Sequence, residues 1–293
     1  MQRDNSWLAA GATAGLLIAA TILFIRRRRN GDPPLSRQPL ACAACTEHFL
    51  NANSAAAVDL STSVAEGHSI LLLHNHATSA EVEALRMEAS NTAAAESLRP
   101  ATDKTRPWWS LQEVRGRMRL PIEHAFGEMT RNRCDQLLVR AVTTLHTHAP
   151  KLVPILFEDR LDAANATTLI HDEKVIFSPR EPAINVYTER GRFKPHKDHE
   201  VLTVLVPLSA PDAFDGGGTC FWSLDQLDKG VSPLEKFMTS PRLVLTPPPG
   251  TAIVFAGCIT HAARAVKGGE RCVLVASFSP ADEEEEEQEA QPR

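Results

Sequence analysis

His196 and Asp198 are the first residues of this sequence whose types and spacing indicate chemistry. They lie in the stretch INVYTERGRFKPHKDHE, residues 184–200, which is typical of a strand, a turn at Gly191 and a second extended run. Residues two apart in an extended chain project from the same face. We therefore expect the imidazole and the carboxylate to point together, which would make half of a metal site.

His261 supplies the missing half. It lies six positions after the end of the apolar run TAIVF, as the last residue of GCITH. Two histidines and one carboxylate form a facial triad that leaves coordination positions open, as in non-haem Fe(II) oxygenases. Zinc sites more often use a more closed arrangement. The sequence therefore predicts an iron site made by His196, Asp198 and His261.

Arg271 and Tyr187 are candidates for binding a small anion beside this metal. Arg271 stands ten residues beyond His261, past the turn at Gly268 and Gly269 and at the head of the apolar strand CVLVASF. A planar guanidinium there suits a carboxylate held by two-point contact. Tyr187, the only tyrosine in the chain, could donate a second hydrogen bond to that carboxylate.

Three motifs together resemble a known family. YxxxGxFxPHxD ends at Asp198, GGGTxF spans residues 216–221, and PPPGTAIVF spans residues 247–255 ahead of His261 and Arg271. Over residues 69–280 the chain resembles the prolyl 4-hydroxylase-like branch of the Fe(II)/2-oxoglutarate-dependent dioxygenases. Collagen-type members usually carry Lys where Arg271 stands, so the resemblance extends to other branches of the family.

The resemblance implies both a fold and a set of roles. It implies a double-stranded β-helix that couples the decarboxylation of 2-oxoglutarate to succinate with the use of O2, and a dependence on L-ascorbate. His196, Asp198 and His261 would be the iron ligands and catalytic residues. Arg271 would hold the distal carboxylate of 2-oxoglutarate with help from Tyr187. Halogenating relatives replace the carboxylate by a small residue, so Asp198 favours hydroxylation.

The fold class predicted is α+β, with a double-stranded β-helix (jelly roll) core and N-terminal packing helices. From residue 175 onward, short β-rich segments alternate with Pro and Gly, which is the pattern of an antiparallel jelly roll. Ahead of them, a capping box at Thr78 and Glu81 and a second apolar stripe from about Thr130 to His148 predict two helices.

A single transmembrane helix is predicted to precede this domain at residues 7–25, which carry no charge and are followed by Arg26 to Arg29. The arginines favour a cytoplasmic catalytic domain under the positive-inside rule, with the endoplasmic reticulum lumen as the alternative. Residues 26–68 are Ala/Ser/Pro-rich and predict a flexible linker. The dioxygenase domain is assigned to residues 69–280, and residues 281–293 predict an acidic disordered tail.

Composition excludes other classes of function. The net charge is −5 and no basic stripe is present, so a nucleic-acid partner is not expected. Six cysteines do not make a disulfide scaffold in a chain of 293 residues. Cys42 and Cys45 form a CxxC for which redox, zinc and acylation roles all stay open.

The sequence thus predicts a membrane-anchored dioxygenase that hydroxylates a protein or peptide, with prolyl residues as the first choice of target. One alternative is a hydroxylase of another side chain or of a small molecule on the same machinery. Another is a catalytically idle, membrane-anchored interaction module.

Overall fold

The structure, a computed structural model, describes residues 37–100, 102–110, 115–227 and 239–281. The predicted anchor at residues 7–25, and all but the first residue of the predicted acidic tail at 281–293, lie outside these ranges. Within them, no helix combines the length and apolar character needed to cross a membrane.

Fourteen strands and six α-helices occur along the described residues, and every strand pairing is antiparallel. The strands are β1 (Cys45–Phe49), β2 (Ser69–Leu73), β3 (Arg117–Pro121), β4 (Val175–Phe177), β5 (Ala183–Tyr187), β6 (Phe193–His196), β7 (Leu202–Pro207), β8 (Phe214–Gly216), β9 (Thr219–Phe221), β10 (Leu243–Leu245), β11 (Ala252–Ala256), β12 (His261–Ala263), β13 (Val266–Gly269) and β14 (Arg271–Pro280). The α-helices are α1 (Ala52–Ala56), α2 (Leu60–Ala65), α3 (Ser79–Leu98), α4 (Ile122–Ala125), α5 (Glu128–His148) and α6 (Leu152–Phe157).

Two main sheets result. The large, eight-stranded sheet has the order β1-β2-β11-β7-β14-β5-β3, with β4 paired to β14. The small sheet has the order β10-β9-β12-β6, and β13 and β8 form a separate two-stranded ribbon. Antiparallel sheets with helices ahead of them fit the α+β jelly roll that the sequence predicts.

Alternation along the strands divides the core between the two faces of the large sheet. On β14, Val273 and Val275 point toward the small sheet and pack with Phe221 of β9. Leu274 and Phe278 point the other way and pack with the helices. Because side chains of a strand alternate between faces, the residues of β14 that face the small sheet share a direction with Arg271.

The two long helices cover the outer face of the large sheet. Helix α3 begins at a capping box in which Thr78 Oγ1 accepts from the Glu81 N–H and the Glu81 carboxylate accepts from the Thr78 N–H. Helix α5 buries the stripe predicted from the sequence, which includes Leu138, Val142 and Leu145. Both predicted helices are confirmed.

The flexible linker predicted for residues 26–68 is wrong over its described part, residues 37–68. Strand β1 pairs with β2 over five residues, from Cys45 opposite Leu73 to Phe49 opposite Ser69. Arg37 forms an ion pair with Glu47, whose side chain is fully buried. The many small residues of this segment give no apolar periodicity of their own. Its strand and its buried side chains are stabilised by partners further along the chain.

The stretch from residue 100 to 122, for which the sequence predicts no element, also contains a strand. Strand β3 pairs with β5, with Arg117 opposite Tyr187 and Leu120 opposite Ile184. Two arginines in a five-residue strand conceal the apolar alternation of Met118 and Leu120. Strand β3 therefore borders the cavity that holds the predicted site.

Candidate active site

Strands β6 and β12 bring the two predicted histidine ligands together. They pair antiparallel with His261 directly opposite His196. The two imidazole ring centres lie 4.3 Å apart. Asp198 follows two residues after His196, and its N–H donates to the carbonyl of Gly257 over 3.1 Å. That bond ties the loop carrying Asp198 to the loop that leads into His261.

Gly257 makes this close approach of two loops possible. A Cβ at Gly257 would lie 1.8 Å from the carbonyl oxygen of Glu200 and 3.5 Å from the Cβ of Asp198. No side chain can therefore stand at position 257 without moving the segment that carries Asp198. The glycine is a steric requirement of the site.

The three donor groups converge on one point. His196 Nε2 lies 3.4 Å from Asp198 Oδ1, and His261 Nε2 lies 3.6 Å from Asp198 Oδ2. Donor atoms of all three side chains lie within 4.8 Å of one another. The separations are those of groups able to share one small cation.

Backbone contacts set the tautomer of each histidine. His196 Nδ1 lies 2.9 Å from the carbonyl of Lys194, and His261 Nδ1 lies 3.2 Å from the carbonyl of Ile259. A carbonyl oxygen only accepts, so Nδ1 carries the proton in both rings. The lone pair of each Nε2 is left facing Asp198, as metal ligation requires.

Electrostatics favour the ligating protonation states of Asp198 and His261. Burial alone would raise the pKa of Asp198, but its contacts with His196, His261 and the hydroxyl of Thr203 bring the pKa down to about 2. Thr203 Oγ1 donates to Asp198 Oδ2 over 2.5 Å. Burial lowers the pKa of His261 to about 4. At neutral pH the pair is thus a carboxylate and a neutral imidazole, which are the metal-binding forms.

Arg271 and Tyr187 stand opposite each other on β14 and β5. The Arg271 side chain is only 5% exposed, and its guanidinium carbon lies 5.4 Å from the centre of the Tyr187 ring. Burial lowers the pKa of Arg271 and raises the pKa of Tyr187. Because the pKa of an arginine lies far above neutrality and burial disfavours ionisation of the phenol, Arg271 is a cation and Tyr187 a neutral hydroxyl at neutral pH. Both can donate to an anion.

Thr219 holds the guanidinium of Arg271. Arg271 Nη2 donates to Thr219 Oγ1 over 2.9 Å. The three glycines before Thr219, at positions 216–218, all have positive φ values of 75°, 62° and 93°. This left-handed run suits glycine, and it turns the chain so that Thr219 meets Arg271.

All five predicted site residues line one cavity between the two sheets: His196, Asp198, His261, Arg271 and Tyr187. Its apolar wall is formed by Leu205, Val273 and Val275. One end of the cavity therefore offers two imidazoles and a carboxylate, while the other wall offers a buried cation.

Several further polar residues complete the cavity, and none of them was predicted from the sequence. Arg119 on β3 donates to Glu181 Oε1 over 3.0 Å and to Asn185 Oδ1 over 3.3 Å. Burial raises the pKa of Glu181, opposed by the charge of Arg119. Asn185 could have been found, because it lies two residues before Tyr187 on the same strand. Arg119 gave no signal, since its strand was not predicted.

The solved structures to which this chain is similar include 2OG-Fe(II) oxygenases and prolyl hydroxylases. An oxidoreductase of the 2OG-Fe(II) oxygenase family from Burkholderia pseudomallei is 25% identical over 36% of this chain and 44% of that chain, with a TM-score of 0.27. A prolyl-4-hydroxylase from Pseudomonas putida is 16% identical over 76% of this chain and 98% of that chain, with a TM-score of 0.47. A viral collagen prolyl hydroxylase from Paramecium Bursaria Chlorella virus-1 is 16% identical over 75% of this chain and 99% of that chain, with a TM-score of 0.39.

No family model matches this chain, and no curated protein sequence matches it. The chain resembles prolyl 4-hydroxylase-like Fe(II)/2-oxoglutarate dioxygenases in its motifs. Solved structures of such enzymes are among those to which it is similar. The TM-scores lie below 0.5, so the case for its chemistry rests on its own side chains.

Proposed function

We propose that the chain is an Fe(II)- and 2-oxoglutarate-dependent dioxygenase that hydroxylates prolyl residues of a protein or peptide. The observation that carries this proposal is the pairing, in one cavity, of a His-Asp-His cluster with a buried arginine. Iron, when bound, supplies the oxidation chemistry in which 2-oxoglutarate and O2 yield succinate and CO2 while one oxygen atom enters a substrate C–H bond. L-ascorbate would keep the metal reduced.

The site residues divide this task by charge. His196, Asp198 and His261 offer two neutral nitrogens and one carboxylate, a donor set that fits Fe(II) and leaves coordination positions open. Thr203 holds Asp198 by a hydrogen bond and keeps the carboxylate ionised.

Arg271 binds the distal carboxylate of 2-oxoglutarate in this proposal. Its burial leaves the guanidinium with little competing water, so a carboxylate there gains a strong charge-assisted contact. Tyr187 is neutral and can donate its hydroxyl to the same carboxylate. Val273 and Val275 exclude water from the space between.

The test is succinate formation by the full chain with Fe(II), 2-oxoglutarate, O2, ascorbate and a peptide library. We expect peptides to gain one oxygen on proline, and we expect His196→Ala to abolish both succinate formation and the mass gain. His199→Ala is the matched control, because His199 is exposed and lies outside the cluster. Undiminished turnover in His196→Ala would refute the proposal, and oxygen gain on another residue type would reject prolyl specificity alone.

We also propose that residues 7–25 anchor the chain in a membrane with its catalytic domain on the cytoplasmic side. The support is the uncharged run followed at once by four arginines. The full chain should then remain with membranes after an alkaline carbonate wash, whereas a chain that begins at Ser36 should not. Asn165 is exposed within an Asn-Ala-Thr sequon. A glycan that is lost in Asn165→Gln would contradict the cytoplasmic placement.

A further inference from the structure

Cys42 and Cys45 form the turn of a tight hairpin near the start of the described chain. Ala41 bridges to Thr46, the Cys42 N–H donates to the Cys45 carbonyl over 2.8 Å, and the Glu47 N–H donates to the Leu40 carbonyl over 2.7 Å. These bonds fix the backbone between the two cysteines. Both thiols are free and are held on the same side of the turn.

A third ligand arrives from a distant part of the sequence. His148 is the last residue of α5, and its ring lies beside the hairpin so that donor atoms of Cys42, Cys45 and His148 are all within 4.8 Å of one another. Packing holds this arrangement, because Cys45 belongs to the same buried core as Leu145 and Ala149 at the end of α5. The sequence alone gave no reason to join a CxxC to a histidine more than 100 residues away.

We propose that Cys42, Cys45 and His148 bind a zinc ion at a site separate from the dioxygenase cavity. Two thiolates and one imidazole are a donor set that Zn²⁺ favours, and three protein ligands with water in the fourth position is an established zinc arrangement. The Cys45 N–H donates to Cys42 Sγ over 3.2 Å. An amide donor of this kind stabilises a thiolate and orients the ligand.

Exposure at the site suits entry of a metal ion from solvent. Cys42 is exposed, His148 is half-buried and Cys45 is buried. The ion would join the hairpin at the start of β1 to the end of α5, next to the buried core that Cys45 shares with Leu145 and Ala149. The zinc site would thus hold the N-terminal edge of the large sheet against the helical layer.

A disulfide between Cys42 and Cys45 is the competing interpretation. A disulfide needs only the two sulfur atoms, so it leaves the position of the His148 ring without a role. Zinc uses all three groups. The two interpretations therefore differ in what the loss of His148 should do.

Cobalt substitution separates them in the full chain. Co²⁺ bound by thiolates gives a sulfur-to-metal charge-transfer absorption, and the His196, Asp198 and His261 cluster contains no sulfur. We expect phosphine-reduced chain to show this absorption at one equivalent, and added Zn²⁺ to displace the cobalt. Cys42→Ser and His148→Ala should each weaken binding by more than about 100-fold, since even loss of an outer contact to a metal ligand costs roughly 10–100-fold.

Matched variants keep the outcome clear. His146→Ala removes an exposed histidine from the same helix, and Cys258→Ser removes an exposed thiol elsewhere, so both should keep the absorption. His148→Cys should restore binding that His148→Ala loses, which excludes simple misfolding. In a chain that carries His196→Ala to disable the dioxygenase cluster, Zn²⁺ should raise the Tm, and the further change His148→Ala should abolish that rise. Absence of the cobalt absorption in reduced wild type, or its survival in His148→Ala, would overturn the zinc site.

Discussion

Arg271 is the residue on which recognition of the co-substrate depends in the proposed function. Its guanidinium is buried and is held by one hydrogen bond to Thr219, which leaves most of its donors for an anion. Hydrogen bonds to a charged group are worth about 1.5–3 kcal/mol. We therefore expect Arg271→Ala to raise the KM for 2-oxoglutarate by roughly 10–100-fold, at about 1.4 kcal/mol per factor of ten, with a smaller effect on kcat.

Steady-state succinate assays over a range of 2-oxoglutarate concentrations measure this effect. Arg271→Lys should fall between wild type and Arg271→Ala, because an ammonium keeps the charge but not the two-point geometry. Arg192→Ala is the control, since Arg192 is exposed and does not line the cavity. An unchanged KM in Arg271→Ala would show that 2-oxoglutarate binds elsewhere.

The sequence predicted the residues whose contacts follow from short spacing. His196 and Asp198 share a face because they are two residues apart, and the motif order placed His261 and Arg271 at strand ends. Thr203 and Thr219 were missed because their partners, Asp198 and Arg271, are set by packing between strands and loops. His148 was missed for the same reason, since only the fold brings the end of α5 to the Cys42 turn.

At the scale of elements, Glu81 joins the two long helices. Its carboxylate accepts from the Thr78 N–H over 2.7 Å at the start of α3 and from Arg140 Nη2 of α5 over 2.9 Å. Hydrogen bonding to Arg140, with that to Thr78, lowers the pKa of Glu81 from 4.5 to about 2. The ionised form is therefore the one that stabilises the folded chain.

The depressed pKa predicts a pH dependence of stability. The contribution of Glu81 is fully present above pH 4.5 and is lost as the pH falls toward 2, because the folded state must then take up a proton on a carboxylate that is bound as an anion. After allowance for solvent screening of a partly exposed pair, the contribution is about 1–2 kcal/mol. Urea unfolding at several pH values should show Glu81→Gln less stable than wild type at pH 7, with the difference shrinking toward pH 2.

Glu83→Gln is the control for that experiment. Glu83 lies two residues further along α3 and pairs with Arg86 of the same helix, and its side chain is exposed. Glu83→Gln should change how stability varies with pH much less than Glu81→Gln does, because an ion pair in solvent contributes little to stability. A Glu81→Gln difference that stays constant from pH 7 to pH 2 would mean that the carboxylate charge does not stabilise the helix pair.

Elements with a strong local pattern were predictable. Helices α3 and α5 were predicted from capping and apolar periodicity, and strand β5 from the extended stretch that begins at Ile184. Strands β1 and β3 were not predicted, because each is stabilised by pairing with another strand. The paired residues are at least 20 positions apart for β1 and more than 60 apart for β3. Short edge strands carry too few residues for their own periodicity to appear.

At the scale of the whole molecule, residues 37–68 are part of the folded body and not a spacer. Leu50 packs in the core between the sheets, and Val64 packs in the core between the large sheet and the helices. The segment also covers β2, which lies between β1 and β11 in the large sheet. Both of these cores therefore depend on residues that precede residues 69–280, the part of the chain that resembles the dioxygenase family.

A chain that begins at Ser69 should consequently fail to fold, whereas one that begins at Ser36 should keep its fold. Without residues 37–68, Leu50 and Val64 are lost and Leu71 and Leu73 of β2 lose their cover. Four aliphatic side chains at about 1.5–3 kcal/mol each sum to a loss comparable to the whole stability of a domain, about 5–15 kcal/mol. Soluble yield and a thermal melt by circular dichroism would compare the two chains. A cooperative melt of the Ser69 chain at the Tm of the Ser36 chain would show that residues 37–68 add nothing to stability.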